Sequence, residues 1–255
     1  LEEKETLGGL AAEISKIPAK KRLADFPHYL EHRAAGLDNL YIFTGTQATP
    51  DNIRKFHPNL IVNATGSGPL LPPIKGLMDN IDKEGGNVYS ILGMIHHIND
   101  FPQDLEGKKV AVIGGGAVGL DVVEFFAARK ADISIVEMMD QIGRDLDPVT
   151  KNDMKCQMKA HGVHQLTKTA LLEVKEHSFL VKGSEGEYEL PFDYGFVCLG
   201  MRAKGQLYPQ LLEAFADDDV EIINIGDSQR ARRIIDGTME GRNILYHLTQ
   251  RGYLD

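Results

Sequence analysis

The stretch Lys108-Lys109-Val110-Ala111-Val112-Ile113-Gly114-Gly115-Gly116-Ala117-Val118-Gly119, with Glu137 eighteen residues beyond its last glycine, decides the reading of this chain. Val110 to Ile113 is a short apolar strand that must turn into a helix within three residues. Gly114 removes the side chain that would block that turn. Gly116 lets backbone approach a pyrophosphate, and Gly119 leaves room for the helix to pack on the strand. Ala117 and Val118 complete the turn, where free N–H groups and the positive end of the helix dipole face an anion. A dinucleotide is the ligand this arrangement implies.

The segment after the glycines supports that reading. Leu120, Val123, Phe126 and Ala127 recur at helical spacing, with Asp121 and Glu124 off that face. Ala131 to Val136 reads as a second strand, and Glu137 stands at its C-terminal end beside Met138. A carboxylate there accepts hydrogen bonds from both adenosine ribose hydroxyls and repels a 2′-phosphate. The next arginine is Arg144, so the expected cofactor is NADH in preference to NADPH. A glycine-rich turn alone is commonplace; strand, glycines, helix, strand and acid in that order are far more specific.

At 255 residues the chain can bury one large core or two modest ones, and two are expected. Its formal charge of -9 argues against a nucleic-acid surface. The basic run Lys20-Lys21-Arg22 is too short to reverse that and reads as a solvated helix face. No apolar run reaches membrane-spanning length. Cys156 and Cys198 form no C-x-x-C, which excludes a local dithiol centre and a four-cysteine cluster; both read as packing residues, as suits a reducing cytoplasm. His96-His97 has no third ligand at useful spacing, so no metal site is expected. The first residues are charged and Leu1 reads as the tail of a strand, so no signal peptide is expected and the chain is expected to begin inside a fold.

Along the chain, helical pattern is expected over 11–14 and 19–35, interrupted by Pro18 and Pro27. Strands are expected at Leu40 to Phe43 and at Leu60 to Ala64, the latter ending in Thr65-Gly66-Ser67-Gly68-Pro69. Residues 78–103 read as a linker, with a short helix or turn over 88–98. Asp147-Pro148 should cap a helix closed by Gly162. Three short strands around 171–175, 179–182 and 187–190 read as an antiparallel meander. A strand from Tyr194 to Leu199 ends at Gly200, and another from Asp219 to Ile225 ends at Gly226-Asp227, before a helix over 235–250. The fold class is therefore α/β, a Rossmann-like unit with a meander.

The ordered set Glu2, Leu7-Gly8-Gly9, Ile17-Pro18, Ala64-Thr65-Gly66, Gly114 to Gly119, Val136-Glu137-Met138, Leu199-Gly200-x-Arg202 and Ile225-Gly226-Asp227 resembles a family. It is the C-terminal FAD/NAD(P)-binding region of the 2,4-dienoyl-CoA reductase, 2-enoate reductase and NADH:flavin oxidoreductase family. The resemblance implies an NADH domain, 104–203, inserted into an FAD-type domain made of 1–77 and 204–255. It assigns Glu2 to the FAD adenosine ribose, Gly8 and Gly9 to the flavin side, and Ala64, Thr65 and Gly66 to the border of FAD. Gly226 and Asp227 would meet its ribityl or pyrophosphate portion, and Gly200 would lie beside NADH.

The chain departs from the family pattern in instructive ways. The strand, glycine loop and helix that seat the FAD pyrophosphate should precede Glu2, and the family's barrel domain, with FMN and an iron–sulfur cluster, is absent. Ala203 stands where the family often has proline, and Asn63 interrupts the strand before Ala64. The expectation is a fragment: an electron-input module that passes hydride from NADH to flavin and onward to an enoate or enoyl-thioester reductase centre elsewhere. FAD belongs to the parent enzyme and is weakly held, if at all, by this chain. No side chain is expected to act as acid or base, and a homo-oligomer is left open. Two alternatives remain, a non-catalytic dinucleotide-binding fragment and a flavin-dependent NADH oxidase or disulfide reductase.

Overall fold

The computed structural model describes residues 1–252. The last residues of the expected second FAD-type segment, 253–255, lie outside the described residues. In chain order the early elements are α1 (Gly9–Ile14), a 3-10 turn (Pro18–Ala24), α2 (Asp25–Ala35), α3 (Pro50–Arg54), β1 (Leu60–Asn63) and β2 (Ser67–Pro69). There follow α4 (Leu77–Asn80), β3 (Val88–Tyr89), α5 (Ile91–His96), β4 (Lys109–Ile113), α6 (Ala117–Ala127), β5 (Asp132–Val136) and α7 (Pro148–Ala160). Next come β6 (His164–Leu166), β7 (Ala170–Val174), β8 (Ser178–Gly183), β9 (Gly186–Pro191), β10 (Tyr194–Val197) and β11 (Met201–Ala203). The chain closes with α8 (Leu207–Ala214), β12 (Glu221–Asn224), a 3-10 turn (Gly226–Ser228), α9 (Ile234–Arg242) and α10 (Ile244–Gln250).

Two compact units emerge. One is built from Leu1–Ala12, Arg22–Gly68 and Met201 onward; the other from Glu13–Lys21 and Pro69–Gly200. The second unit carries a five-stranded parallel sheet in the order β3-β10-β4-β5-β6. β4 lies in its middle, pairing Val110 with Ile133 on one side and Tyr194 with Val110 on the other. A strand buried on both faces reads as a continuous apolar run, which is why Val110 to Ile113 lacks alternation. One face packs on α5 and α6 through rings, including Phe126 against Phe196 at 4.8 Å and Phe101 edge-on to Phe126 at 5.1 Å. The other face, with Ala111, Ile113 and Val197, meets Phe179 and Val181 of the antiparallel meander β7-β8-β9 and Phe192 just beyond it.

Residues 78–103 are more than a connection. They hold β3, whose Val88 and Tyr89 pair with Gly195 and Phe196 at the edge of the parallel sheet. Two residues of strand are too few to show period-two alternation, so the sequence pattern conceals them. Asp147 caps α7 as expected, accepting from the N–H groups of Val149 and Thr150 at 3.0 and 3.1 Å. Lys20 is not simply a solvated residue. Its ammonium pairs with Asp121 at 3.0 Å and Glu124 at 3.6 Å, covering the polar side of α6. Burial pushes the Asp121 carboxyl above its ordinary value, against the pull of Lys20.

The first unit has a two-stranded parallel sheet, β1 with β12. Its core is Ile53, Ile61, Leu211 and Phe215. The Arg54 guanidinium lies over the Phe215 ring at 4.5 Å and bonds Asp218 at 2.6 Å. Leu40 to Phe43, expected as a strand, forms no ladder; Phe43 only accepts one bond from the Glu2 N–H, and Tyr41 is 76% exposed. β-branched and aromatic content favours a strand only where a pleated neighbour supplies packing, and none covers this segment.

Candidate functional site

At the C-terminal end of the parallel sheet the chain makes the turn that the glycines anticipate. Gly114 has φ 105°, a conformation closed to residues with a side chain, and its N–H bonds the Val136 carbonyl at 2.8 Å. A Cβ on Gly114 would strike the Cys198 carbonyl, and one on Gly119 would strike the Gly114 carbonyl. Strand, turn and helix are therefore locked together by absent side chains. Gly116 is the N-cap of α6, with φ -80° and no side chain to block the helix end. Ala117 and Val118 form the first turn of α6, where backbone N–H groups have no partner within the helix, and the Ala117 N–H donates to Asp145 at 3.4 Å.

The Glu137 carboxylate is fixed before any ligand arrives. Its Oε2 accepts from the Gly115 N–H at 2.7 Å and its Oε1 from the Met139 N–H at 2.8 Å. Each oxygen keeps a further lone-pair site, so both can still receive ribose hydroxyls. Gly115, Gly116, Glu137, Met139, Gln141, Arg144 and Asp145 line a cleft of about 410 Å³. That volume lies within the range of small-molecule sites. Gly200, with φ 104°, follows β10, whose neighbour Cys198 donates its N–H to Ile113 at 2.7 Å at the same sheet edge. Met138 is 68% exposed and is not among the cleft-lining residues, whereas its neighbour Met139 is.

Gln141 and Asp145 have no counterpart among the residues expected from the sequence, and Arg144, which the sequence places too far from Glu137 to matter, lines the same cleft. They belong to the irregular segment between β5 and α7, which has no periodicity to reveal which side chains face inward. The Gly143 N–H bonds the Gly115 carbonyl at 2.7 Å and Ile142 is buried. That segment is thereby fastened to the glycine turn.

In the first unit the expected residues fall into separate groups. Ala64, Thr65 and Gly66 follow β1, while Gly226 and Asp227 follow its partner β12, and Ser67 joins them by donating to Asp227 at 2.9 Å. Asn63, read as an interruption, is 3% exposed and donates to Asn224 at 2.8 Å across the paired strands. Ser228 adds a bond to Asn224 at 2.8 Å and one to the Asn63 carbonyl at 3.0 Å. The Gly226 N–H is occupied by Glu240 at 2.6 Å, and Asp227 also accepts from the Arg232 N–H at 2.8 Å. Glu2 bonds the Lys4 N–H through its side chain and Phe43 and Thr46 through its backbone. Gly8 and Gly9 take φ of 104° and 51° where α1 begins.

The two cysteines differ sharply. Cys198 is buried, and burial pushes its thiol up to about 12; Cys156 is exposed on α7. Among the described residues there is no cluster of metal-ligating side chains, and no helix is long and apolar enough to cross a membrane.

A parallel sheet with a glycine turn at its C-terminal edge and a carboxylate on the next strand defines a dinucleotide-binding α/β protein. The family described as pyridine nucleotide-disulphide oxidoreductase matches residues 11–226, and the chain belongs to it. This is a family of NAD(P)H-dependent flavin oxidoreductases. Over 250 residues the chain is 28% identical to an NADH oxidase of Thermoanaerobacter brockii, covering 97% of this chain and 36% of that protein. It is 27% identical to a metal reductase of Desulforamulus reducens, covering 95% of this chain and 39% of the other. Among solved structures, a 2-naphthoyl-CoA reductase in complex with 2-naphthoyl-CoA shares the fold, with TM-score 0.78, 21% identity, and coverage of 94% of this chain and 34% of that one. Histamine dehydrogenase from Rhizobium sp. 4-9 does likewise, at TM-score 0.77, 16% identity, and coverage of 95% and 37%. The chain thus spans a little over a third of the length of these curated relatives.

Proposed function

We propose that this chain is the NADH-binding electron-input module of a larger flavin-dependent oxidoreductase. The observation that carries the reading is the single cleft in which the glycine turn and the pre-fixed Glu137 carboxylate stand together. Bound nicotinamide supplies a hydride, and a flavin is its acceptor. The chain's own residues bind and orient. Gly116 would admit the pyrophosphate, the N–H groups of Ala117 and Val118 would hold it, and Glu137 would receive the ribose hydroxyls. Gly200 would border the nicotinamide half. Hydride transfer needs no general base, so no residue of this chain takes a proton.

NADH over NADPH is part of the proposal. Arg144 lines the same cleft and would favour a 2′-phosphate, but the Glu137 carboxylate is held at the ribose end by two N–H bonds. We further assign 104–203 to the NADH-binding domain and 1–77 with 204–255 to an FAD-type domain. The fit to FAD is poorer than to NADH, because the Gly226 N–H, a single donor at the strand end, is already taken by the Glu240 carboxylate. A barrel domain carrying FMN and an iron–sulfur cluster would supply the reductase centre. The proposed thioester acceptor is of the class named for the 2-naphthoyl-CoA reductase that shares this fold.

A second reading has its own support, since the Thermoanaerobacter relative is an NADH oxidase. Disulfide reduction is disfavoured because burial pushes the Cys198 thiol up to about 12 and the other cysteine, Cys156, is exposed on α7 with no C-x-x-C partner. The test is the flavin absorbance of the purified chain and its bleaching by NADH. Bleaching supports the electron-input reading, NADH binding without flavin supports a binding fragment, and binding of neither contradicts both.

A further inference from the structure

The Asp145 carboxylate stands at the N-terminal end of α6, against the face that Gly116 leaves open. Its Oδ2 accepts from the Ala117 N–H at 3.4 Å, the first residue of α6. The same oxygen is 3.5 Å from where a Cβ of Gly116 would be, the face that glycine leaves open. An anion is stabilised at a helix N-terminus, so an internal carboxylate and an incoming phosphate compete for one place. The bond is long and weak, and Asp145 is exposed, so the side chain can leave. The backbone two residues earlier cannot leave as readily, because the Gly143 N–H holds the Gly115 carbonyl at 2.7 Å and Ile142 is buried beneath the turn.

We propose that Asp145 is a built-in competitor for the phosphate position, occupying the helix end in the free protein and lowering affinity for NADH. The proposal rests on the reading of the glycine turn as the NADH site. Binding swings the Asp145 side chain away while residues 142 and 143 stay anchored. A charge that is displaced but not removed remains near the pyrophosphate and opposes it by Coulomb repulsion.

The test compares the parent chain with Asp145→Asn by NADH fluorescence titration, with ADP-ribose and adenosine as further probes. A unit charge several ångströms from a phosphate in a solvated cleft corresponds to roughly a three- to tenfold change in Kd. Asp145→Asn should therefore bind NADH and ADP-ribose about three- to tenfold tighter, and adenosine no differently. The gain should shrink as salt screens the charge. A merely structural role for Asp145 would not separate pyrophosphate ligands from adenosine. Unchanged or weaker NADH binding by Asp145→Asn, while Gly116→Ala weakens it, overturns the role of Asp145 and leaves the site intact. An equal gain for adenosine also overturns it. Failure of the parent and the variant alike to bind NADH overturns both the site and the competitor.

Discussion

Two alanine substitutions three residues apart should have opposite consequences. In Gly119→Ala the new methyl falls on the Gly114 carbonyl oxygen, with Val112 Cγ1 at 3.5 Å behind it. That oxygen cannot step aside, since Gly114 is held at φ 105° between β4 and α6. The helix must move off the strand, an overpacking cost of about 1–3 kcal/mol. Against a typical total of about 5–15 kcal/mol this is a large fraction. At about 2–4 °C per kcal/mol for a chain of this size, a cost near the middle of that range lowers Tm by roughly 4–8 °C. In Gly116→Ala the methyl meets nothing closer than Asp145 Oδ2 at 3.5 Å, and φ -80° suits alanine. Alanine caps a helix less well than glycine, by up to about 1 kcal/mol. Reduced freedom of the unfolded chain returns about 0.4–1 kcal/mol, so stability should hardly change. The methyl instead projects where the pyrophosphate must approach, and NADH should bind at least about tenfold more weakly, a loss of about 1.4 kcal/mol. Thermal melting and NADH fluorescence titration read the two effects separately. A Gly119→Ala protein that melts with the parent, or a Gly116→Ala protein that binds NADH as tightly as the parent, would refute the steric account of the turn.

Other outcomes follow from individual side chains. Glu137→Ala should narrow the ratio of NADH to NADPH affinity and, because Glu137 also ties the Gly115 and Met139 N–H groups, should lower Tm as well; an unchanged ratio would show that Glu137 does not meet the ribose. Iodoacetamide at mildly alkaline pH should modify Cys156 in the folded chain and leave Cys198 untouched until denaturant is added, and mass spectrometry of the native protein with both thiols labelled would contradict that. The Asp193 carboxyl is held below its ordinary value by the Lys109 N–H and the Lys108 ammonium. Its stabilisation is present above the unfolded value near about 3.9 and is lost as pH falls through the lower folded value. Asp193→Asn should therefore flatten the acid limb of Tm against pH below about 4, and an identical limb would dismiss the contribution.

The glycine turn was legible because its cause is local. Gly119 is required by the Gly114 carbonyl five residues before it and Gly114 by its own φ of 105°, and the sequence records both directly; the Cys198 carbonyl that also bars a Cβ from Gly114 belongs to a distant strand. Glu137 was legible by its place at a strand end, yet its bonds to Gly115 and Met139 were not, because they depend on how the following segment folds back. Asn63 shows the same limit: a polar residue in an apolar run reads as an interruption, and only the arrival of Asn224 on the neighbouring strand makes it a buried pair. The pairing of Lys20 with Asp121 and Glu124 spans about a hundred residues and has no period to announce it. Leu40 to Phe43 carries strand composition without a strand, since propensity there has no neighbouring ladder to act on. Asp145 left no trace in the pattern at all; a lone acid in an irregular loop gains meaning only from its distance to the end of α6.

The central claim is that a reduced dinucleotide binds at the glycine turn of the second unit. Its most direct test is calorimetric titration of the purified chain with NADH, repeated with Gly116→Ala. The account predicts saturable binding at one site per chain in the parent and a loss of about tenfold or more in the variant; no heat of binding in the parent, or equal affinity in both, would contradict it.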